Sequence, residues 1–469
     1  MRFAKRAALA VLAALVLAGC GFMPGGPAGS PAPQSQPAGV SQPAEPTPEP
    51  HTASAVMPLP AAGISALTGR QAENPGERPV AVMVSGDAAA RPQWGIGTAD
   101  LLIEANTGGE STSLMAVYDS WQKAVKVGPV CQGRDLFLQL VMPVNAIPMY
   151  IGSDIYTSNL VNWYTYQPLD GLYIGVNAYN LDGERDQTAP EELSWYADAR
   201  LIQSAVASYG QSTQGDTPTF FYFDEAAAPA NTGGYRLEIG YGAQRAAQLV
   251  YLPEEGRYCL RENEQDTTDA AKEDGLVRFD NVLLLMASSG FKDDGVTRDY
   301  DLTGGSGLYL CGGGAVQITW KKGEANQPLQ LFDAAGESLS LRPGSSYIGV
   351  WGGFTGQSLR LLDAAGAEQP LPATPAPMTP AATPVPATPA PTPAPTPAPE
   401  APTPEPAAPT PVPAASAPVD PAAASAPVDP AAASAPAAPA ATPAPTPAAA
   451  TATPIPVPAA PSAPAAAVG

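Results

Sequence analysis

The sequence predicts an α+β protein: a mixed α/β N-terminal half, then a mainly antiparallel β C-terminal half, flanked by disordered segments. Short branched apolar runs alternate with helix-like segments as far as about residue 212. Short strand-like runs separated by Gly-rich turns then continue to about residue 366. In residues 21–65 and 367–469 the composition is dominated by Pro, Ala, Thr and Ser, which bury too little apolar surface to fold.

The first 20 residues have the features of a bacterial lipoprotein signal peptide. A positively charged start, MRFAKR, precedes an apolar run at 8–19 that is too short to span a bilayer. The motif LAGC, ending at Cys20, matches the lipobox, in which the cysteine is acylated and becomes the new N-terminus. The alternative is an ordinary cleaved signal peptide with a chance cysteine. We expect a lipid-anchored protein on the extracytoplasmic face of the bacterial cell membrane.

Two low-complexity segments flank the predicted domains. Residues 21–65 predict a Pro/Ala/Ser-rich tether, and residues 367–469 predict a disordered Pro/Ala/Thr-rich tail. The tail holds 33 of the 57 prolines and contains the nonapeptide APVDPAAAS twice in tandem. Such tracts favour extended polyproline II. The tail either extends into a cell-wall matrix or has no task of its own.

The N-terminal half, residues 66–212, contains six predicted elements and one ambiguous run. The elements are strands at 80–84, 114–118, 125–130 and 146–151, and helices at 134–142 and 190–209. Pro190 in a first turn, Glu191 and Glu192 near the positive end of the helix dipole, and a stop at Gly210 favour the last helix. Residues 98–106 fit a helix or a strand, and Thr98 as an N-cap favours the helix.

The C-terminal half, residues 213–366, predicts an antiparallel β domain. Turns such as LTGGSG and CGGG separate its strand-like runs. These runs lie at 219–223, 235–241, 248–252, 257–261, 281–287, 307–310, 315–320, 329–332, 338–341 and 346–350.

Charge, cysteine and histidine content narrow the function. The net charge of −21 argues against nucleic acid or anionic lipid as a partner. Cys131, Cys259 and Cys311 lack CxxC spacing, and a Cys259–Cys311 disulfide is the first pairing we expect. The only histidine, His51, lies in the tether, which removes Ser-His-Asp, Cys-His and histidine–metal sites from the domains. No cofactor or metal is predicted.

Several motifs in order resemble the YerB-like bacterial lipoproteins, whose two domains have no known function. The first half carries RPVAVM, ARPQWGIGTADLLIE and GRDLFLQL, and the second carries DNVLLLM and GSGLYLCGGGAVQITWKK. The resemblance spans about residues 77–352. It implies an exported, lipid-anchored envelope protein and supplies no established activity.

The chain departs from this family mainly at polar positions. The resemblance implies an Asp-Asn pair at Ser85-Gly86, arginines at Ser113 and Cys131, and histidines near Tyr150 and two residues before Asp269. The positions where the family's polar residue is retained include Arg91, Gln93, Asp100, Glu104, Arg134, Asp135 and Asp269. Because residues at strand ends gather around one crevice in an α/β sheet, we expect a shared, partly dismantled ligand crevice. Its predicted residues are Ser85, Gly86, Arg91, Gln93, Asp100, Glu104, Ser113, Cys131, Arg134 and Asp135.

Three functional hypotheses follow. The favoured one is a non-catalytic, lipid-anchored protein that binds or scaffolds at the outer membrane face, with the membrane and a cell-wall polymer or another envelope protein as partners. The second is an envelope glycan or peptidoglycan hydrolase that uses carboxylates, drawn from acidic loops such as the one at 293–301 and from aromatic residues at 163–179. The third is a solute-binding lipoprotein in which Arg91 and Arg134 hold an anion. In the structural alternatives, the arginines pair with nearby acids, the acidic loops are solvated, and the aromatic residues pack.

Overall fold

The computed structural model describes residues 57–109, 111–243, 245–272 and 274–378, and in these residues the predicted α+β class is confirmed. The lipobox, residues 21–56 of the tether and the tail after residue 378 lie outside the described residues. No helix in the described ranges is long and apolar enough to cross a membrane.

The described residues form four α-helices and 22 strands, many of them short. The helices are α1 (Asp135–Val141), α2 (Ile155–Trp163), α3 (Gly171–Ile174) and α4 (Ala199–Ser208). The strands before residue 213 are β1 (Val80–Ser85), β2 (Leu101–Gly108), β3 (Ser111–Tyr118), β4 (Ile147–Tyr150), β5 (Leu169–Asp170), β6 (Asn180–Leu181) and β7 (Trp195–Tyr196). The later strands are β8 (Tyr222–Phe223), β9 (Arg236–Gly240), β10 (Ala246–Leu252), β11 (Arg257–Glu262), β12 (Gln265–Asp266), β13 (Arg278–Phe279), β14 (Asn281–Met286), β15 (Ser289–Phe291), β16 (Arg298–Tyr300), β17 (Gly304–Cys311), β18 (Gly314–Lys322), β19 (Leu329–Phe332), β20 (Ser340–Leu341), β21 (Ser346–Trp351) and β22 (Ser358–Leu362).

A ten-stranded mixed sheet runs through both halves of the chain, in the order β19-β18-β17-β14-β21-β2-β3-β1-β4-β5. The halves meet where β2 pairs in parallel with β21, so that Leu101 lies opposite Ser346 and Ala105 opposite Val350. A second, antiparallel sheet has the order β12-β11-β10-β9-β22, with β13 also paired to β11. Hydrophobic residues of this second sheet pack on one face of the large sheet.

Strand β1 shows how the large sheet is covered on both faces. Val80, Val82 and Val84 join a core that includes residues of the second sheet and of α4, whereas Ala81 and Met83 join a core that includes residues of α1. The split follows from the period of two in a strand. Because both faces are buried, the strand reads as a continuous apolar run.

Residues 98–106 are the clearest error of the sequence-based prediction, which favoured a helix. The segment instead forms strand β2, which begins at Leu101 and lies between β21 and β3 in the large sheet. Every residue from Leu101 to Asn106 is buried, so hydrogen bonding and packing on two sides outweigh the local capping signal at Thr98.

Two further predictions in the first half are only partly right. The helix predicted at 190–209 breaks into a 3-10 turn at Glu191–Leu193, strand β7, and helix α4, which Asp198 caps by accepting from the Leu201 N–H. Residues 125–130 form no regular strand and make isolated bridges, such as Val127 with Ala197. The predicted helix at 134–142 and the strands at 80–84, 114–118 and 146–151 are confirmed. In the second half, each of the ten predicted runs overlaps a strand.

The predicted Cys259–Cys311 disulfide is wrong, because Cys131, Cys259 and Cys311 are all free thiols. Cys259 lies on β11 of the second sheet, and its Sγ is 3.8 Å from a carboxylate oxygen of Asp266. Cys311 ends β17 of the large sheet and joins the core on the face that contacts α1. The two thiols therefore belong to different sheets and different packing layers.

Residues at both ends of the described chain contact the folded part. Met57 is buried, and the Pro58 carbonyl accepts from the Thr219 N–H at 2.8 Å. At the other end, Leu371 packs against the core, and the Met378 N–H donates to the Ser289 carbonyl at 2.9 Å. The stretches 57–65 and 367–378 therefore pack on the domain, although their composition resembles that of the tether and the tail.

We predict that two truncations of the tail differ in their effect on thermal stability. Deleting 379–469 should leave the melting temperature nearly unchanged, because a Pro/Ala/Thr-rich composition offers little surface to bury. Deleting 367–469 also removes Leu371 from the core, and should lower the melting temperature by about 2–4 °C for each kcal/mol of packing lost. Thermal unfolding followed by circular dichroism measures both. Equal melting temperatures for the two truncations would contradict the packing of 367–378.

Candidate functional site

A cleft of about 650 Å³ opens at the edge of the large sheet where β1, β2 and β4 end. We call it the β1 cleft. Since β1 and β4 are parallel, their carboxyl ends lie at the same edge, which is the usual position for ligand sites in such sheets. The cleft is lined by Ser85, Asp87, Thr107, Gly108, Ser111, Thr112, Ser113, Val130, Cys131, Gln132, Arg134, Ile151, Glu191, Glu192, Leu193 and Trp195.

Backbone hydrogen bonds bring these separate segments together. Ser85 at the end of β1 lies directly opposite Ser113 on β3. The Ser85 N–H donates to the Pro129 carbonyl at 2.9 Å, and the Cys131 N–H donates to the Met83 carbonyl at 3.2 Å. The segment around Cys131 is thus hydrogen-bonded to the end of β1, although it forms no regular strand.

The cleft combines hydroxyl groups with one thiol. The Ser113 and Thr107 hydroxyls are hydrogen-bonded to each other at 3.1 Å, and the Ser85 hydroxyl donates to Asp87 Oδ2 at 3.2 Å. Burial raises the pKa of the Cys131 thiol to about 12. The thiol is therefore protonated at neutral pH and is a poor nucleophile.

The ionisable side chains of the cleft are mostly acidic. Asp87, Glu191 and Glu192 contribute negative charge, and Arg134 is the one basic residue in the lining. Arg134 forms an ion pair with Asp154, with Nη1 and Oδ2 2.7 Å apart. Its charge is therefore already balanced, and the cleft offers an anion little electrostatic attraction.

Arg91 and Gln93 line a different cavity, of about 300 Å³, together with residues 262, 263 and 265–268. The expectation that Arg91 joins Arg134 in one crevice is thus not met, because Arg91 is turned toward Glu262, with Nη1 and Oε1 2.5 Å apart. Arg91 and Gln93 nevertheless form hydrogen bonds to the backbone at the edge of the β1 cleft. Gln93 Nε2 donates to the Ser85 carbonyl at 3.1 Å, and Arg91 Nη2 donates to the Gly86 carbonyl at 3.0 Å.

A chain of four alternating charges lies next to the cleft. From Arg91 it passes to Glu262, then to Arg245, whose Nη1 is 2.6 Å from Glu262 Oε2, and ends at Glu104. Arg245 Nε and Nη2 donate to the two carboxylate oxygens of Glu104 at 2.7 and 3.0 Å. Thr112, which lines the cleft, donates its hydroxyl hydrogen to Glu104 Oε1 at 2.7 Å.

Glu104 is fully buried and remains ionised. Burial alone would raise its pKa, but Arg245 and the hydrogen bonds from Arg245, Thr112 and Tyr347 outweigh that effect and lower the pKa. The Tyr347 hydroxyl donates to Glu104 Oε2 at 2.8 Å. Reasoning from the sequence selected Glu104 but missed Arg245 and Glu262. The only available signal was that each is a charged residue next to an apolar strand-like run.

Asp100, Asp135 and Asp269 do not line the β1 cleft. Asp100 pairs with Lys123 at 3.0 Å near the start of β2, and Asp135, at the start of α1, pairs with Lys292 at 2.8 Å. The buried Asp269 carboxylate accepts from the main-chain N–H groups of Gly95 and Gly97 at 2.8 and 2.7 Å. These acids hold loops in place.

In the acidic loop at 293–301, three of the carboxylates form hydrogen bonds within their own turns or pair with a lysine. Asp294 accepts from the N–H groups of Val296 and Thr297, and Asp301 accepts from the N–H and hydroxyl of Thr303. Asp299 pairs with Lys292 at 2.9 Å. Among the described residues, no group of three or more His, Cys, Asp or Glu side chains is placed to hold a metal ion.

The aromatic residues at 163–179 are divided between core and surface. Tyr166 and Tyr179 donate hydrogen bonds to main-chain carbonyls and are largely covered, whereas Trp163 and Tyr173 are exposed. None of them lines the β1 cleft.

We predict a pH-dependent stability that arises from Asp100. Its burial, and then the neighbouring Asp119 carboxylate, raise the pKa of Asp100 from an ordinary value of 3.8 to about 7. The folded state therefore binds this proton more tightly than the unfolded state. The stability that the proton provides is complete below about pH 4 and is lost as the pH rises to 7, at up to about 1.4 kcal/mol per pH unit. Asp100→Asn should flatten this slope in urea titrations between pH 4.5 and 7, and an unchanged slope in the variant would contradict the assignment.

Comparison with known proteins gives the family. Residues 67–212 match the family described as "Protein of unknown function (DUF3048) N-terminal domain", and residues 237–348 match its C-terminal domain. A Bacillus subtilis (strain 168) protein, YerB, whose name marks it as a candidate lipoprotein, is 27% identical over 280 residues, covering 58% of this chain and 81% of that protein. The crystal structure of YerB from Bacillus subtilis superimposes with a TM-score of 0.56 at 25% identity, over 63% of this chain and 99% of that one. The chain is thus a divergent member of the YerB-like family, which has two domains of unknown function.

Proposed function

We propose that this chain is a non-catalytic, lipid-anchored protein of the bacterial cell envelope that binds a ligand or an envelope partner through the β1 cleft. The observation that carries the proposal is the lining of this cleft. It brings hydroxyl groups, one protonated thiol and an apolar rim to the carboxyl ends of β1, β2 and β4. A concave site with convergent polar groups is the usual form of a binding pocket.

The chemistry of the lining favours binding over catalysis. Nucleophilic catalysis needs an activated nucleophile next to a base, but the pKa of the Cys131 thiol is raised to about 12. The single histidine, His51, lies in the tether and outside the described residues. Within the part of the chain that the structure describes, the serine and threonine hydroxyls of the cleft therefore have no imidazole to accept their proton.

The two alternative functions have less support. A glycan hydrolase needs two carboxylates that face one substrate, but those of Asp294, Asp299 and Asp301 accept hydrogen bonds from their own turns or pair with Lys292. An anion-binding site needs free positive charge, but Arg91 and Arg134 are paired with Glu262 and Asp154. A cell-wall polymer or another envelope protein suits the cleft and the Pro-rich tail better than a small anion.

Anchoring through Cys20 is the first prediction of this proposal. Cys20→Ala removes the thiol to which the lipid would be attached, and should move the protein from the membrane fraction to the soluble fraction. Incorporation of labelled fatty acid should be lost in parallel, whereas Cys131→Ala should leave both properties as in the wild type. Wild-type protein that takes up no fatty acid, or Cys20→Ala protein that stays in the membrane fraction, would contradict the anchor.

The second prediction tests the charge of the β1 cleft. In a thermal-shift assay with phosphate and sulfate, the wild type should gain no specific stabilisation. Ser113→Arg with Cys131→Arg adds two positive charges to the lining, and should produce a concentration-dependent rise in melting temperature with these anions.

The matched control places the same two charges elsewhere, as Leu59→Arg with Val125→Arg at exposed positions. This control should show no such rise. Stabilisation of the wild type by phosphate at micromolar concentration would contradict the proposal and favour an anion-binding protein.

A further inference from the structure

Residues 155–181 form an almost uncharged part of a strongly acidic protein. The segment contains a single ionisable residue of the Asp, Glu, Lys or Arg type, Asp170, and its side chain is buried. The net charge of the whole chain is −21. Within the segment, five large apolar side chains are exposed by between 63% and 84%: Ile155, Trp163, Leu172, Tyr173 and Val176. We call these five residues the apolar surface.

Two helices present the apolar surface. On α2, Ile155 and Trp163 are eight positions apart, so they lie on the same side of the helix and about 12 Å apart along it. The N-terminus of α3 is tied to the segment that precedes α2. Asp170 Oδ1 accepts from the N–H of Gly152 at 2.8 Å and from the N–H of Leu172 at 2.9 Å. The starting ends of both helices are therefore held together.

The composition of the apolar surface matches the interface of a lipid bilayer. Trp and Tyr concentrate at the headgroup level of membranes, and exposed aliphatic side chains gain free energy when they enter the acyl boundary. The five side chains carry no charge themselves, although two carboxylates lie beside α2: that of Asp293 accepts from the Tyr156 hydroxyl, and that of Glu324 accepts from the Tyr164 hydroxyl. Contact through the uncharged side chains limits the repulsion that the rest of this acidic protein meets at an anionic leaflet. Screening limits that repulsion to about 10 Å, so the local charge of the contacting face matters most.

The length of the tether, which lies outside the described residues, favours a bilayer as the partner of the apolar surface. Residues 21–56 connect Cys20 to Met57, and 36 residues span about 30–36 Å as a flexible coil, or about 110 Å as extended polyproline II. Met57 lies beside Leu140 and Pro143, at the end of α1, and α1 packs against α2. The tether therefore leaves the domain from the helical layer to which α2 belongs.

We propose that the apolar surface lies on the lipid bilayer, so that the domain contacts the membrane directly as well as through its lipid. This inference rests on the proposed anchor at Cys20, which keeps the domain within reach of the bilayer. Membrane contact through α2 and α3 would fix the orientation of the folded domain relative to the leaflet.

The test uses the tryptophan of the apolar surface as its probe. All six tryptophans lie in described residues, and Trp163 is the one that is exposed. Lipid-modified, full-length protein is reconstituted on vesicles of phosphatidylcholine with a minority of phosphatidylglycerol, with and without brominated acyl chains. Bromine quenches tryptophan only at close approach, so brominated lipid should reduce the fluorescence of the wild type. Trp163→Phe should lose most of that reduction, whereas Trp121→Phe, which changes a partly buried residue, should keep it.

A second pair of variants tests the surface without changing the probe. Leu172→Ser with Tyr173→Ser should reduce the quenching of Trp163 while the lipid still holds the protein on the vesicles. Leu59→Ser with Val125→Ser removes exposed apolar side chains elsewhere and should leave the quenching unchanged.

The outcomes separate this inference from the anchor on which it rests. Protein that sediments with the vesicles but shows no quenching retains the anchor and overturns the contact of the apolar surface with lipid. Protein that does not sediment contradicts the anchor, and the inference with it. A dimer in analytical ultracentrifugation that dissociates on Leu172→Ser with Tyr173→Ser would assign the apolar surface to a second copy of the chain, which also overturns the inference.

Discussion

The arrangement of both halves depends on one buried ion pair, between Glu104 on β2 and Arg245 before β10. Glu104 is fully buried and Arg245 is nearly so, and two parallel hydrogen bonds join them. Leaving either charge unpaired in such a position costs about 3–5 kcal/mol. The second sheet therefore has to dock where Arg245 reaches Glu104, and β2 has to lie where Tyr347 and Thr112 complete the hydrogen bonds of the carboxylate.

This constraint extends to the β1 cleft. Through Glu262, the ion pair continues to Arg91, which holds the Gly86 carbonyl, and at the other end Thr112 belongs to the lining itself. All residues that line the cleft belong to the first half of the chain. Two charged residues that interact with the groups around it, Arg245 and Glu262, belong to the second half. Each charge in this chain of four charges is paired with the next, so that displacing one side chain would leave its neighbour unpaired.

The sequence predicts the strands of this fold better than its long-range contacts. The run VAVMV at 80–84 signals a strand locally, as does each of the ten short runs of the second half. The segment at 98–106 failed because its identity as β2 depends on two neighbours, β21 and β3, of which β21 is some 240 residues away. Cys131, Ser85 and Ser113 could be placed near each other because all three follow or begin apolar runs. The orientation of Arg91 depends on Glu262, and nothing in the sequence near Arg91 indicates that partner.

The same distinction explains which polar positions differ from those that the family resemblance implies. Arg91 and Glu104 are retained, and both belong to the buried charge chain, where the loss of one partner leaves another charge uncompensated. The arginines that the resemblance implies at 113 and 131 would line the β1 cleft and take no part in this buried charge chain. On this resemblance, the positions that differ include residues of the cleft lining, Ser113 and Cys131, whereas Arg91 and Glu104 of the buried charge chain do not differ.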